Sequence, residues 1–517
     1  MIAEGEMSMN KLQKIVTSRF FISAVVILLE FAQLLAVFII LNIFSSVMVI
    51  LSCVFSFCVL LYVINREEIP ELKLPWLILI LLLPVFGAYI FILFNGNEQT
   101  KKLKKAFDKT AEKLLPYRQQ NPAIEVLQEQ NTDAYLQANY LYRTADMPYR
   151  NCSKVTYYRI GEEFFAALLE ALDKAEHFIF MEYFIIEQGI MWDSIHNILA
   201  QKVKQGVKVN VIYDDFGCMN KLPQHYYREL TNEGIGCIPS NRFKPVLSQI
   251  HNNRDHRKIT VIDGIVGFTG GINLADEYIN AYSKHGHWKD SAVKVEGEAV
   301  KNLTMLFLSA WNMQNKAMLE CKPYLEVQPP AYQSGGAVIP YGDGSQSIYP
   351  DCIGRNVYLN MISAAKKYVY ITTPYLICDF AIMDALRTAA KKGLDVRIIT
   401  PGIPDKKLVW LMTRSNYEPL VRDGVKIYEY TPGFIHAKNF ICDGMFAVCG
   451  TINLDYRSLV HHFECGVWMY NVDAIGDMTV DFIDTMAQSD IITTEKAKLT
   501  APQKLIRNIM KIFFPLL

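Results

Sequence analysis

Two nine-residue stretches, "HRKITVIDG" (His256–Gly264) and "HAKNFICDG" (His436–Gly444), share the pattern H-x-K-x-x-x-x-D-G and lie 180 residues apart. An imidazole can attack an electrophile or carry a proton, and an ammonium group two residues on can hold an anion. Side chains two apart on a strand share a face, so His256 points with Lys258 and His436 with Lys438. Asp263 and Asp443 fall on the opposite parity and precede glycine, an Asp-Gly hairpin signal. Each aspartate therefore either caps its turn or joins the chemistry, and the spacing leaves both open. A two-residue turn would set Gly271 opposite His256 and Thr451 opposite His436, leaving room for a substrate group. Asn273 and Asn453 each follow their histidine by 17 residues and return to its side of the hairpin.

Displacement at a phosphodiester needs this set twice. One imidazole attacks phosphorus while the other protonates the departing alcohol and deprotonates the entering one. Lysines and amide donors hold the non-bridging oxygens as charge builds. No P-loop, dinucleotide fingerprint, carboxylate cluster for magnesium or Cys/His metal spacing appears, so no metal and no cofactor are expected. A working imidazole also needs one nitrogen fixed by a carboxylate or carbonyl. Matched carboxylates follow the two hairpins: Asp290 in "HWKDSAV" and Glu464 in "HFECGV". They are either charges at strand ends facing water or the missing orienting groups. In the second case a pseudo-twofold arrangement predicts crossed pairs, Glu464 to His256 and Asp290 to His436.

The flanking segments repeat as well. "HFIFMEYFII" resembles "KYVYITTPYLI", and "QGVKVNVIYDD" resembles "KGLDVRIITPG"; each second strand follows a helix expected to end at Gly206 or Gly393. Strand, helix, strand, helix, strand and then a hairpin describes an α/β fold with buried strands, present in duplicate. The first copy carries extra residues, "NRFKPVLSQIH", just before its motif.

The 52 basic and 52 acidic residues balance, so no global field argues for nucleic acid. The 11 cysteines read as buried, reduced thiols. Apolar residues make up 51% of the chain and concentrate near the N-terminus. The run Phe20–Ile64 has the length of two membrane spans, and "LPWLILILLLPVFGAYIFILF" (Leu74–Phe94) that of a third. Lysines flank both ends, which favours a cytoplasmic-facing catalytic region with either two or three spans. "KKLKKAFDKTAEKLLPY" and the C-terminal "KLIRNIMKIFFPLL" have helical apolar spacing with cations around it, suited to anionic lipid or to a solvated helix packed on a core.

The duplicated H-x-K-x4-D-G-x5-G-x2-N pattern resembles the phospholipase D superfamily. With the apolar N-terminal runs, the chain is similar to bacterial-type cardiolipin synthases over nearly its whole length. The resemblance implies two phospholipase D-like α/β halves about a pseudo-twofold axis, preceded by transmembrane helices in a cell membrane. It implies transfer of a phosphatidyl group from one phosphatidylglycerol to another, with glycerol released, through a phosphohistidine. It carries catalytic roles onto His256, Lys258, Asp263, His436, Lys438 and Asp443, with His256 as nucleophile. The expected divisions are a tail at 1–19, a membrane region at 20–94 and a basic amphipathic linker at 95–150. Halves at 151–325 and 326–490 and a C-terminal amphipathic helix at 491–517 complete them. A hydrolytic phospholipase D, a transferase with another head-group alcohol, and a membrane-anchored binding or nuclease-like protein are the competing readings. The intact histidines and the absence of a basic surplus count against the last.

Overall fold

The computed structural model describes residues 46–95, 98–242, 252–315, 317–332, 335–345, 348–349 and 351–516, together with isolated helical positions between 21 and 36. Much of the first half of the first apolar run, and most of the extra segment before the first motif, lie outside the described residues. The chain divides into two compact units, one comprising residues 1–98 with 242–251, the other nearly all the rest.

In the first unit, helices span Ser46–Asn65, Pro70–Leu82 and Pro84–Asn95. Their mutual core holds Val63, Trp76, Ile80, Phe86 and Phe91, with the Trp76 and Phe91 rings 5.4 Å apart. The run expected to make a third span is broken, because Leu83 leaves helical geometry (φ −131°, ψ 73°) ahead of Pro84. A proline cannot continue the hydrogen-bond ladder of the helix before it. The two pieces, 13 and 12 residues long, reach only about 20 Å each, against a hydrocarbon core of about 30 Å. Among the described residues no helix is long and apolar enough to cross a membrane.

The second unit is mixed α/β and built twice. Its first half contains Ser153–Tyr158 (β1), Phe178–Tyr183 (β2), Lys208–Asp214 (β3), Gly236–Ser240 (β4), Lys258–Ile262 (β5), Val266–Gly270 (β6), His287–Lys289 (β7) and Ala292–Gly297 (β8). The second half contains Ala337–Asp343 (β9), Tyr368–Thr372 (β10), Leu376–Ile377 (β11), Asp395–Pro401 (β12), Lys426–Tyr430 (β13) and Gly433–Ile435 (β14). Asn439–Cys442 (β15), Phe446–Gly450 (β16), Leu454–Asp455 (β17), Glu464–Tyr470 (β18) and Ser489–Ile491 (β19) complete it.

One sheet runs β4-β3-β2-β5-β6-β8-β1 and the other β19-β13-β12-β10-β15-β16-β18-β9. The two orders are the same apart from the added edge strand β19. In each, three parallel strands joined by crossover helices lie beside an antiparallel set containing the motif hairpin. The crossover helices Ile190–Lys204 and Phe380–Lys391 are followed by Gly206 and Gly393 at φ 91° and 95°, the left-handed closure only glycine adopts without strain. Between the parallel strands and their helices the apolar side chains, Val209, Val211, Ile398 and Ile399 among them, are buried.

The stretch read as a linker folds onto this unit. Its helix Thr132–Ala145 buries Ala134, Ala138 and Leu141, and the Gln137 carbonyl accepts a 3.1 Å hydrogen bond from Trp468 Nε1 of β18.

Candidate active site

Both motif hairpins turn through Asp-Gly in the left-handed region, Asp263 and Gly264 at φ 52° and 68°, Asp443 and Gly444 at 56° and 67°. Each loop carries one residue more than the two expected. Ile262 pairs with Val266 and Cys442 with Phe446, leaving Ile265 and Met445 as the extra residues. Continuing that register sets Ile272 and Ile452, rather than Gly271 and Thr451, across from the histidines.

The aspartates stay at the turn. Asp263 accepts hydrogen bonds from the backbone N–H groups of Glu176, His177 and Phe178 at 2.7–2.8 Å. Asp443 does the same for Lys366, Lys367 and Tyr368 at 2.6–2.9 Å. Each clasps the start of the neighbouring central strand at the end of the hairpin remote from its histidine. The geometry thus favours the capping alternative and removes both carboxylates from the imidazoles.

The histidines sit just before their strands, in segments that pair across the seam between halves. β14 runs parallel to β7, and the His436 N–H then bonds the Lys289 carbonyl at 2.7 Å. Symmetrically, Asp255 bridges Phe463, and the His256 N–H bonds the Phe463 carbonyl at 2.9 Å. These pairings bring the residue after each contact within reach of the opposite imidazole. Glu464 places both carboxylate oxygens 3.0 Å from His256 Nδ1. Asp290 Oδ2 lies 2.6 Å from His436 Nδ1. Both carboxylates have 0% exposure, so neither is a strand-end charge in water.

Gly271 and Thr451 serve these carboxylates instead of facing the histidines. A Cβ on Gly271 would stand 2.1 Å from Asp290 Oδ1, so only glycine fits there. Thr451, its counterpart, donates its hydroxyl to Glu464. The lysines tie back to their own motifs: Lys258 Nζ donates to the His256 carbonyl at 2.7 Å, and Lys438 Nζ to the His436 carbonyl. Asn273 accepts from Ile185 N–H at 3.0 Å and donates to the Tyr278 hydroxyl at 2.7 Å, while Tyr278 lays its ring 5.5 Å from that of His436. Asn453 is buried with its side-chain carbonyl unpartnered.

Burial, reinforced by the Lys258 and Lys438 charges, holds His256 well below the ordinary imidazole range. His436 is brought down to about 4, by burial first and Lys438 second, against the opposing pull of Asp290. Burial likewise lowers Lys258 to about 8 and Lys438 to about 7. The resting state that follows is two neutral imidazoles, each donating Nδ1–H to a carboxylate; Lys438 Nζ also stands 2.8 Å from His436 Nδ1, but the Asp290 carboxylate has no hydrogen to give and so takes the one on the ring. Each imidazole then presents its Nε2 lone pair for attack or proton capture. Lys258 and Lys438, in their protonated forms, suit the non-bridging oxygens of a phosphodiester, whose negative charge favours those forms.

Aromatic neighbours were not anticipated. The His462 ring lies 5.6 Å from that of His256, and Trp288 stands 5.6 Å from His436. The pair could have been found, since each stands two residues before its half's carboxylate. His256, His462 and Glu464 also offer three ligand atoms within 4.8 Å of one another. A dication there would displace the hydrogen His256 gives Glu464 and would face two ammonium groups, so the site suits a proton better.

A family model described as "Cardiolipin synthase, PLD-like domain" matches residues 168–311 and 358–486, one segment in each half. The cardiolipin synthase of Alkalihalophilus pseudofirmus is 33% identical over 91% of this chain and 93% of its own. Cardiolipin synthase 2 of Bacillus cereus is 36% identical over 88% of each. An uncharacterized protein of Streptococcus mutans is 43% identical over 88% of this chain and 99% of its own. Among solved structures, phosphatidylserine synthase of Haemophilus influenzae aligns with 73% of this chain and 97% of its own, at 14% identity and a TM-score of 0.55, a likeness of fold. With both halves matched by one family model and such identity over most of its length, the chain belongs to the cardiolipin synthase family of phospholipase D-like proteins.

Proposed function

We propose that this chain is a cardiolipin synthase that moves a phosphatidyl group from one phosphatidylglycerol to the glycerol hydroxyl of a second. The observation that carries the reading is the crossed pair of buried imidazole–carboxylate contacts, Glu464 to His256 and Asp290 to His436. His256 Nε2 attacks phosphorus and the bond from phosphorus to the glycerol oxygen breaks; His436, which takes up a proton from water at Nε2 as the anionic phosphodiester enters beside it, supplies the proton that glycerol carries away. The hydroxyl of the second phosphatidylglycerol then gives its proton to His436. Its oxygen attacks phosphorus, the P–N bond breaks, and cardiolipin leaves. Lys258 and Lys438 hold the non-bridging oxygens through both steps. One phosphodiester is exchanged for another, so no nucleotide is consumed. Asn273 and Asn453 support the pocket, Asn273 by positioning Tyr278. Asp263 and Asp443 hold the hairpins.

The reading places the enzyme at the cell membrane through residues 20–94, with the catalytic halves at about 151–325 and 326–490. Supporting it, Ile50, Leu51, Phe57, Leu81 and Leu82 are exposed on the helices of the first unit, a surface that lipid would cover. The test is to incubate purified protein with phosphatidylglycerol alone. Cardiolipin and glycerol should appear in equal amounts, with or without a chelator. Phosphatidic acid as the main product would replace transfer with hydrolysis.

A further inference from the structure

The helix Ala501–Phe513 packs beside the helix Lys407–Ser415, yet much of its apolar side is uncovered. Leu505 is 63% exposed, Ile509 50%, Phe513 48% and Ile506 43%. At 100° per residue these four fall within an arc of about 100°, while Lys504, Arg507 and Lys511 gather within about 60° on another side. The helix contains no acidic residue. Its start is fixed by a capping box between Thr500 and Gln503. The neighbouring helix adds Leu408, 45% exposed, next to exposed Lys406 and Lys407. Large apolar side chains in a row, on a helix whose charged side chains are all cations, suit the interface of an anionic bilayer. A second copy of the same helix would set like charges against each other.

The far end of this helix leads into the catalytic segment. The Pro515 carbonyl accepts a 3.1 Å hydrogen bond from His461 Nε2. His461 lies three residues before Glu464, the carboxylate that holds His256.

We propose that Ala501–Phe513 is a bilayer-docking element that lies in the headgroup region of anionic membranes and, through Pro515 and His461, steadies the strand carrying Glu464 when it does so. The inference rests on the lipid-substrate reading above for its purpose, though the docking itself can be measured separately.

The full-length chain is reconstituted into phosphatidylcholine nanodiscs with and without one third phosphatidylserine, and amide exchange is followed peptide by peptide. Exchange across 501–513 should slow severalfold when phosphatidylserine is present. Equal exchange in the two lipids would overturn the proposal. In a second arm, Leu505→Glu/Ile509→Glu is compared with the native chain on bilayer phosphatidylglycerol and on a dispersed short-chain phosphatidylglycerol. Bilayer turnover should fall about tenfold while turnover of the dispersed substrate holds. Equal loss on both substrates would make the helix a structural strut only. If the native chain makes no cardiolipin from either substrate, the functional reading fails and the exchange result alone decides the docking.

Discussion

Replacing Glu464 by glutamine keeps the volume of the side chain and removes its charge. Both carboxylate oxygens stand 3.0 Å from His256 Nδ1, and Oε2 also accepts the Thr451 hydroxyl. In the variant the amide oxygen keeps the Thr451 hydrogen bond, and the NH2 group is turned towards His256. Nδ1 must then accept, which moves the ring proton to Nε2 and takes away the lone pair that attacks phosphorus. The equivalent tautomer error in a serine protease triad costs about 10⁴-fold in kcat. A loss of about 10³- to 10⁴-fold is expected here, equivalent to about 4–5.5 kcal/mol of barrier. Loss of a purely structural hydrogen bond would instead cost about 1–3 kcal/mol of stability and leave kcat per folded molecule nearly intact. The assay is initial cardiolipin formation from phosphatidylglycerol in mixed micelles, with Tm measured on the same preparation. A kcat within tenfold of native at unchanged Tm would refute the crossed-pair argument, and Glu464→Asp should recover part of the loss.

Alanine at His256 or His436 should abolish turnover, and acid-labile label from radioactive lipid should be trapped on His256 alone; label on His436 would reverse the two roles. Asp443→Ala, which strips three backbone N–H groups of their acceptor, should lower stability by about 2–4 kcal/mol in denaturant titration while folded molecules keep their kcat. Burial holds Lys438 near 7 and Lys258 near 8, so kcat/KM should decline as pH rises through that range and the free site loses its cations. Stability should fall as pH drops from 6.5 towards 4. In that window the unfolded chain takes up a proton that buried His436, held down to about 4, refuses; thermal melting across it gives the check.

The duplicated motif, the strand–helix alternation and the two orienting carboxylates were legible because each repeats at matched spacing, and coincidence does not repeat in register. The hairpin register was not. Asp263-Gly264 announces a tight turn but cannot say whether Ile265 belongs to the strand or bulges out of it, and that one residue redirected Gly271 and Thr451 from the imidazoles to the carboxylates. Strand parity excluded Asp263 from its own imidazole, yet only the fold supplied the three N–H groups it holds instead. The break at Leu83 was written in Pro84, but the apolar run on either side masked it.

The crossed contacts also bear on how such a protein could be divided or have arisen. Because Asp290 serves His436 and Glu464 serves His256, neither half contains a histidine together with the group that orients it. A chain severed in the connection near residues 326–336 would give two fragments, each inert alone and competent only once they reassemble. Mixing a fragment damaged at His256 with an intact complementary fragment could not rescue turnover, since the single reaction centre draws on both. An ancestor with only one such half would already have been complete as a symmetric dimer, with each copy lending its carboxylate to the other. Fusion of two copies then freed the two pockets to diverge, as they have where Trp288 covers one imidazole and His462 the other.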